Sequence, residues 1–252
     1  MLDRLSREGK QSKHKVISFT CRANICADGS PNAYNSLNTG IDNNANGGIS
    51  DNMIKKGDFR KRDKKDKIVK DNKGNVETAY GIVVDANTGV AAIQPVKSVD
   101  NADKYISPTS MHTKPNSSFV LKDQSSYVNS EEINYIVLPG NFINNLPKDV
   151  NLKFGDLVQV FNKNNGKFAF AIYAENGPSG KIGEISVALA KALGIPSSPK
   201  NGGTSKLALD ITIYTGTGKG QGDGASTSQD EINKRNNDIQ AAQTKPTDPC
   251  TN

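Results

Sequence analysis

Two carboxylates, Glu175 and Glu184, bracket one short turn in the stretch Phe168 to Gly194, FAFAIYAENGPSGKIGEISVALAKALG. The stretch opens as an alternating strand, with Phe168, Phe170 and Ile172 pointing one way and Ala169, Ala171 and Tyr173 the other. It then runs into Asn176-Gly177-Pro178-Ser179-Gly180, a turn composition that belongs on a surface. A short helix is predicted from Ser186, a good N-cap residue, to Gly194, with Pro196 behind it as a breaker. Carboxylates held at the two ends of one rigid turn can serve as acid and base on a single bond, which is the chemistry of glycoside hydrolysis. The same residues also suit a plain strand end and a helix start, where a negative charge complements the helix dipole. Spacing alone does not decide between the two.

The elements around this unit read as mainly β. Strands are predicted at about 16–20, 80–84, 90–94, 133–138, 156–161, 167–174 and 206–214, and helices near 186–193 and 228–240. The strands 156–161 and 167–174, joined by Asn162-Lys163-Asn164-Asn165-Gly166, read as a hairpin with an Asn-Gly turn. Ser228 is placed to cap the second helix, which follows the glycine-rich stretch Gly216 to Gly224. That stretch lacks the spacing of a phosphate-binding loop.

The segment resembles the catalytic stretch of glycoside hydrolase family 75, the fungal-type chitosanases and their bacterial relatives. Gly183-Glu184-Ile185-Ser186 matches the family's Gly-Glu-x-Ser block without change. The family's other acid is Asp, where this chain has Glu175, one methylene longer. Further blocks follow in the family's order: Asp28-Gly29-Ser30-Pro31-Asn32-Ala33-Tyr34, Thr39-Gly40-Ile41-Asp42, Ala45-Asn46-Gly47-Gly48, Tyr80-Gly81-Ile82-Val83, Tyr105-Ile106-Ser107-Pro108-Thr109-Ser110, Ile133 to Gly140 and Phe154 to Val158. The resemblance runs over about residues 17 to 240. The Glu175–Gly194 unit is also similar to a stretch of double-psi β-barrels of the rare lipoprotein A and expansin type.

These resemblances imply a double-psi-type β-barrel core with one or two short helices. They imply endo-hydrolysis, with inversion, of β-1,4 bonds in a glucosamine-containing polysaccharide, carried by Glu184 and Glu175 and needing no cofactor. Asp28 and Asp156 are the next carboxylates in line, each a sugar contact, a support behind the catalytic pair, or only a turn residue. Tyr173 and Ser186 complete the expected substrate contacts. One alternative is a peptidoglycan hydrolase acting as an antibacterial effector, with an immunity protein as partner. Another is a non-catalytic sugar-binding barrel, against which the absence of Trp argues, because ring stacking is the usual way to hold sugars.

The formal charge of +6 is uneven. Residues 55–73 hold ten basic and four acidic residues, whereas 74–200 hold eleven of each. The basic run reads as an inserted surface loop, solvated and partly disordered, or as a patch for a polyanion. Nucleic acid is disfavoured, because only Phe59 interleaves the basic residues. The organisation expected is a tail over 1–16, one domain over 17–243 with the basic insertion, and a tail over 244–252.

With two histidines far apart and no CxxC spacing, a metal site is not expected. Cys21 and Cys26 could close a small loop in an oxidising compartment or stay reduced, with Cys250 left over. No run of 18 apolar residues suggests a membrane span. The first sixteen residues lack the apolar core of a signal peptide. The substrate class that the resemblance implies places the chain outside the cell or in the periplasm of a target cell, in which case it has lost its signal, belongs to a larger product or leaves by a route needing none.

Overall fold

The computed structural model describes residues 14–42, 57–79, 81–223 and 228–244. Ala45-Asn46-Gly47-Gly48, Tyr80, Lys55, Lys56, Cys250 and most of both expected tails lie outside the described residues. The chain is mainly β, and its seven strands form one sheet curled into a half-barrel. In chain order the elements are β1 (Val16–Cys21), β2 (Asn24–Cys26), β3 (Tyr135–Pro139), α1 (Gly140–Asn144), β4 (Leu157–Asn162), β5 (Lys167–Gly177), β6 (Glu184–Ser186), α2 (Val187–Ala192), β7 (Leu209–Tyr214) and α3 (Gln229–Thr244). Across the sheet the strands run β1-β7-β4-β5-β3-β6-β2. β1 starts one residue before the expected domain start, and α3 runs one residue past its expected end.

The predicted hairpin forms β4 and β5, in antiparallel register from Leu157↔Ile172 to Asn162↔Lys167. Its alternation divides the core as the apolar pattern requires. Val158, Val160, Ala169, Ala171 and Tyr173 pack on one side with Ile211, Ile213 and Leu189. Leu157, Ile172 and Ala174 pack on the other, where α3 contributes the fully buried Ile232. α2 begins where the sequence places it, because the Ser186 hydroxyl accepts from Leu189 N–H at 3.1 Å. The pairs β3–β5 and β2–β6 are parallel, so each needs a long crossover.

Cys21 and Cys26 are both free and buried, so no bridge links them. The reason lies in the sheet. Cys21 at the end of β1 packs into the core on one side, while Cys26 in β2 packs into the core on the other.

The basic stretch is folded rather than loose over its described residues. Lys61 N–H donates to Glu77 O, Glu77 N–H to Val69 O, and Val69 N–H to Lys61 O, at 2.8, 3.0 and 2.9 Å. Three chain passes thus meet in a cyclic junction, from which two hairpin arms project over 61–69 and 69–77. A second junction of the same kind joins Val83, Ala92 and Ile106 at 2.8–3.0 Å. Strands expected at 80–84 and 90–94 therefore appear only as isolated bridges, Val84↔Ala91 and Ile93↔Tyr105, since each pass is shared between two partners.

Candidate active site

A one-residue irregularity in β5 sets which way Glu175 points. β3 pairs Ile136 with Tyr173 and then Val137 with Glu175, so Ala174 is the extra residue of a bulge. Residues paired across strands share a face. Glu175 therefore faces with Val137, opposite to Tyr173, although the two are only two positions apart. On the other edge of β3, Ile136 pairs antiparallel with Ile185, which brings Glu184 level with Val137. Glu175, Val137 and Glu184 thus form one row across three strands. Two strand spacings put the outer α-carbons about 9.5 Å apart.

Two glycines make room for Glu184. Gly183 has φ +102°, and a Cβ there would sit 2.0 Å from the Arg22 carbonyl oxygen of the neighbouring chain pass. A Cβ on Gly177 would lie 2.8 Å from Val137 Cγ1 and 3.0 Å from Glu184 Oε2. The carboxylate of Glu184 therefore rests over the bare end of β5.

The two acids sit in different surroundings. Glu175 is buried, and its carboxylate accepts from Ser110 N–H at 2.6 Å, from the Ser110 hydroxyl and from Asn176 N–H at 3.0 Å. Burial pushes its pKa up to about 7 against those hydrogen bonds, and the charge of Glu184 adds to the rise. Glu184 is half-buried; burial raises it too, and Lys181 opposes the rise.

Two further carboxyls complete the cluster. Asp28, just beyond β2, is driven well above the usual carboxylate range by burial and then by the charges of Glu175, Asp42 and Glu184. Asp42 is buried and receives a hydrogen bond from the Tyr34 hydroxyl, while its Oδ1 has no partner. Burial lifts Asp42 to about 6 in spite of Tyr34, and Glu184 adds to it. The Tyr135 hydroxyl donates to the Asp28 carbonyl at 2.8 Å, with Cys26 Sγ at 3.5 Å. Burial keeps that thiol protonated, so it is no nucleophile here. Four carboxyls that cannot all ionise together at neutral pH can hold a proton and release it, as an acid–base pair requires.

Three other expected contacts lie elsewhere. Asp156 is fully buried and accepts from Lys153 N–H and Gly218 N–H, both at 2.8 Å, so it braces the start of β4 against the 216–218 turn. Ser186 is fully buried too; its oxygen caps α2 and accepts from Tyr135 N–H at 3.0 Å. Neither side chain is open to solvent. Tyr173 is buried on the face away from Glu175, stacks on Phe154 at 4.9 Å and donates its hydroxyl to Asn176. It does line a cavity of about 570 Å³, with Phe154, Asn144 and Gln221, on that opposite face.

Ser110 and Asp42 are the functional residues to which sequence reasoning gave no role. Both stand inside blocks quoted for the resemblance, and no periodicity or spacing marks them. Among the described residues, no group of three or more His, Cys, Asp or Glu is arranged to hold a metal ion. No helix among them is long and apolar enough to cross a membrane. Compared with known proteins, the chain matches no family model and no curated sequence.

Proposed function

We propose that this chain is a glycoside hydrolase of family 75 type on a double-psi-like barrel, cutting β-1,4 bonds in a glucosamine-containing polysaccharide with inversion. The observation that carries the reading is the row Glu175–Val137–Glu184, with both carboxyls on one face of the sheet and both raised in proton affinity. Inversion needs two carboxyls about 6.5–9.5 Å apart, with room for a water between them. The two-strand spacing, about 9.5 Å between the α-carbons, sets both carboxyls on one face with a third residue's width between them.

The roles follow from the surroundings. Glu175, the more buried group, holds its proton near neutrality and gives it to the glycosidic oxygen as the bond to the anomeric carbon breaks. Glu184, more open and beside Lys181, takes a proton from the water that attacks the anomeric carbon from the opposite side. The products are a hemiacetal of inverted configuration and a free hydroxyl. Asp28 and Asp42 stand close enough that the pair's charges raise their own proton affinity, Glu175 and Glu184 acting on Asp28 and Glu184 on Asp42.

A second reading keeps the chemistry and changes the polymer to peptidoglycan, as an antibacterial effector would use. The lysine-bearing hairpin arms favour it, because they repel a polycation such as chitosan. Product analysis on chitosan and on purified peptidoglycan, side by side, tests both. Reducing-end release from either polymer, lost in Glu184→Gln, supports hydrolysis. Binding of sugar without cleavage of either polymer would replace the enzyme with a sugar-binding barrel.

A further inference from the structure

The arms 61–69 and 69–77 have a charge layout that takes no part in the acid–base chemistry of the carboxyl row. Each tip opens on an aspartate whose oxygen is turned inward onto the backbone. Asp63 Oδ1 accepts from Lys65 N–H and Lys67 N–H at 2.8 and 2.9 Å. Asp71 Oδ1 accepts from Lys73 N–H and Asn75 N–H at 2.8 and 2.9 Å. At the base, Asp58 pairs with both Arg60 and Arg62 at 2.8 Å, and Lys61 pairs with Glu77 at 3.4 Å. The remaining cations, Lys64, Lys65, Lys67, Lys70 and Lys73, are exposed and form no ion pair among the described residues. Asp63 and Asp71 thus each have an oxygen engaged by their own turn, the exposed Asp66 lies 3.8 Å from Arg62, and five exposed lysines are left without an ion pair among the described residues.

We propose that these two arms form a fork that binds a flexible, base-free polyphosphodiester, such as a polyol-phosphate chain of a cell envelope. Three features fix that chemistry. First, each arm extends about four residues from the junction, ~13 Å at 3.3 Å per residue, so the tips stand up to about 25 Å apart. That exceeds the screening length of roughly 8 Å at 0.15 M salt, so one small anion cannot engage both tips and a polymer can. Second, the free cations are all lysine. An ammonium is a hydrated point charge that binds phosphate oxygens from any direction, without the planar, two-point match that arginine makes to carboxylate and phosphate alike, which suits a flexible chain of irregular geometry. Third, the arms 61–77 contain no aromatic residue to stack on a base. Phe59 lies edge-on against Tyr105 at 5.3 Å, and base-bearing single strands are held largely by stacking. The proposal stands apart from the catalytic reading and survives its failure.

The test is equilibrium binding of purified polyglycerol phosphate to the full chain from 50 to 200 mM NaCl, by calorimetry or fluorescence. The full set of five Lys→Gln changes is compared with two partial sets, Lys64/Lys65/Lys67 and Lys70/Lys73. The aspartates and backbone bonds that shape the tips are untouched in all three, and circular dichroism confirms the fold. With five contacts the salt slope is about −3.5, so wild-type affinity falls about a hundredfold across that range. The five-fold variant is expected to lose at least tenfold at 50 mM and to flatten the slope, with each partial set intermediate. Equal affinity of wild type and the five-fold variant, or no wild-type binding at 50 mM, overturns the proposal. So does tighter binding of a single-stranded oligonucleotide of matched charge, which would make bases part of the ligand.

Discussion

Replacing Glu175 by Gln tests the candidate site without knowledge of the substrate, because a buried proton leaves a mark on stability. The folded-state pKa of Glu175 is raised from 4.5 to about 7, chiefly by burial. The folded state therefore binds more protons than the unfolded state between those values, and stability must fall as pH rises. The contribution is fully present below pH 4.5 and is lost as pH passes through about 7. A rise of about 2.5 units corresponds to on the order of 3 kcal/mol. For a domain of this size that is about 6–12 °C in Tm, at roughly 2–4 °C per kcal/mol. Gln cannot titrate, so it removes this share of the slope; the shares of Asp28, Asp42 and Glu184 remain. The amide also presents a donor to a pocket built of donors, Ser110 N–H and Asn176 N–H, which costs about 1–3 kcal/mol at every pH. The variant is thus less stable at pH 4.5 than wild type, and the gap closes by pH 8. Urea melts of both proteins at half-unit steps from pH 4.5 to 8 read the difference directly. A gap that stays constant within about 1 kcal/mol across the range would refute the buried, proton-holding Glu175.

Glu184→Gln is expected to abolish hydrolysis of whichever polymer the wild type cuts, with an unchanged circular dichroism spectrum; more than a tenth of wild-type turnover places the chemistry elsewhere. Glu175→Asp should keep measurable turnover while Glu175→Ala does not, since a carboxylate displaced by about 1 Å costs about a hundredfold and a missing one costs the step itself. Wild-type rates in the alanine variant would reduce Glu175 to a strand terminus. Gly177→Ala should lower kcat at least tenfold and cost about 1–3 kcal/mol of stability, because the new methyl meets stiff, buried Val137 Cγ1 at 2.8 Å and Glu184 Oε2 at 3.0 Å. Unaltered kcat would mean that Glu184 works from another position.

The hairpin β4–β5, the terminal strands β1 and β7 and the Ser186 cap of α2 are legible in the sequence because each rests on local pattern. Alternation over six or more residues marks a half-buried strand, and a capping hydroxyl before a short apolar run marks a helix. β2 and β6 escape because three residues show no period; their pairing, Asn24↔Glu184 to Cys26↔Ser186, exists only in three dimensions. α1 follows a proline at its N-cap with no side-chain cap, so it carries no start signal. The junction arms hide for a different reason. Their one repeated mark is an aspartate eight residues on, Asp63 then Asp71, which within a charged run reads as solvated surface. Glu175 and Glu184 were legible as a pair bracketing a turn, but their common face depends on the bulge at Ala174, which no residue type announces. Asp156, for which the sequence leaves a turn role open beside a sugar contact, and Ser186 are both buried braces, and it is burial, invisible in the sequence, that separates a brace from an open side chain.

The sheet closes its ends with the most distant parts of the chain. β2 lies beside β6, and β1 beside β7, so Asp28 meets Glu184 only after some 150 intervening residues have been made. At about 5–20 residues per second a ribosome needs roughly 8–30 s to supply them. Such non-local pairing also folds slowly once the chain is complete. A nascent or truncated chain can build the β4–β5 hairpin by itself, yet it cannot assemble the four carboxyls. Any activity that depends on them is withheld from partial products of translation and appears only once both ends of the sheet have paired.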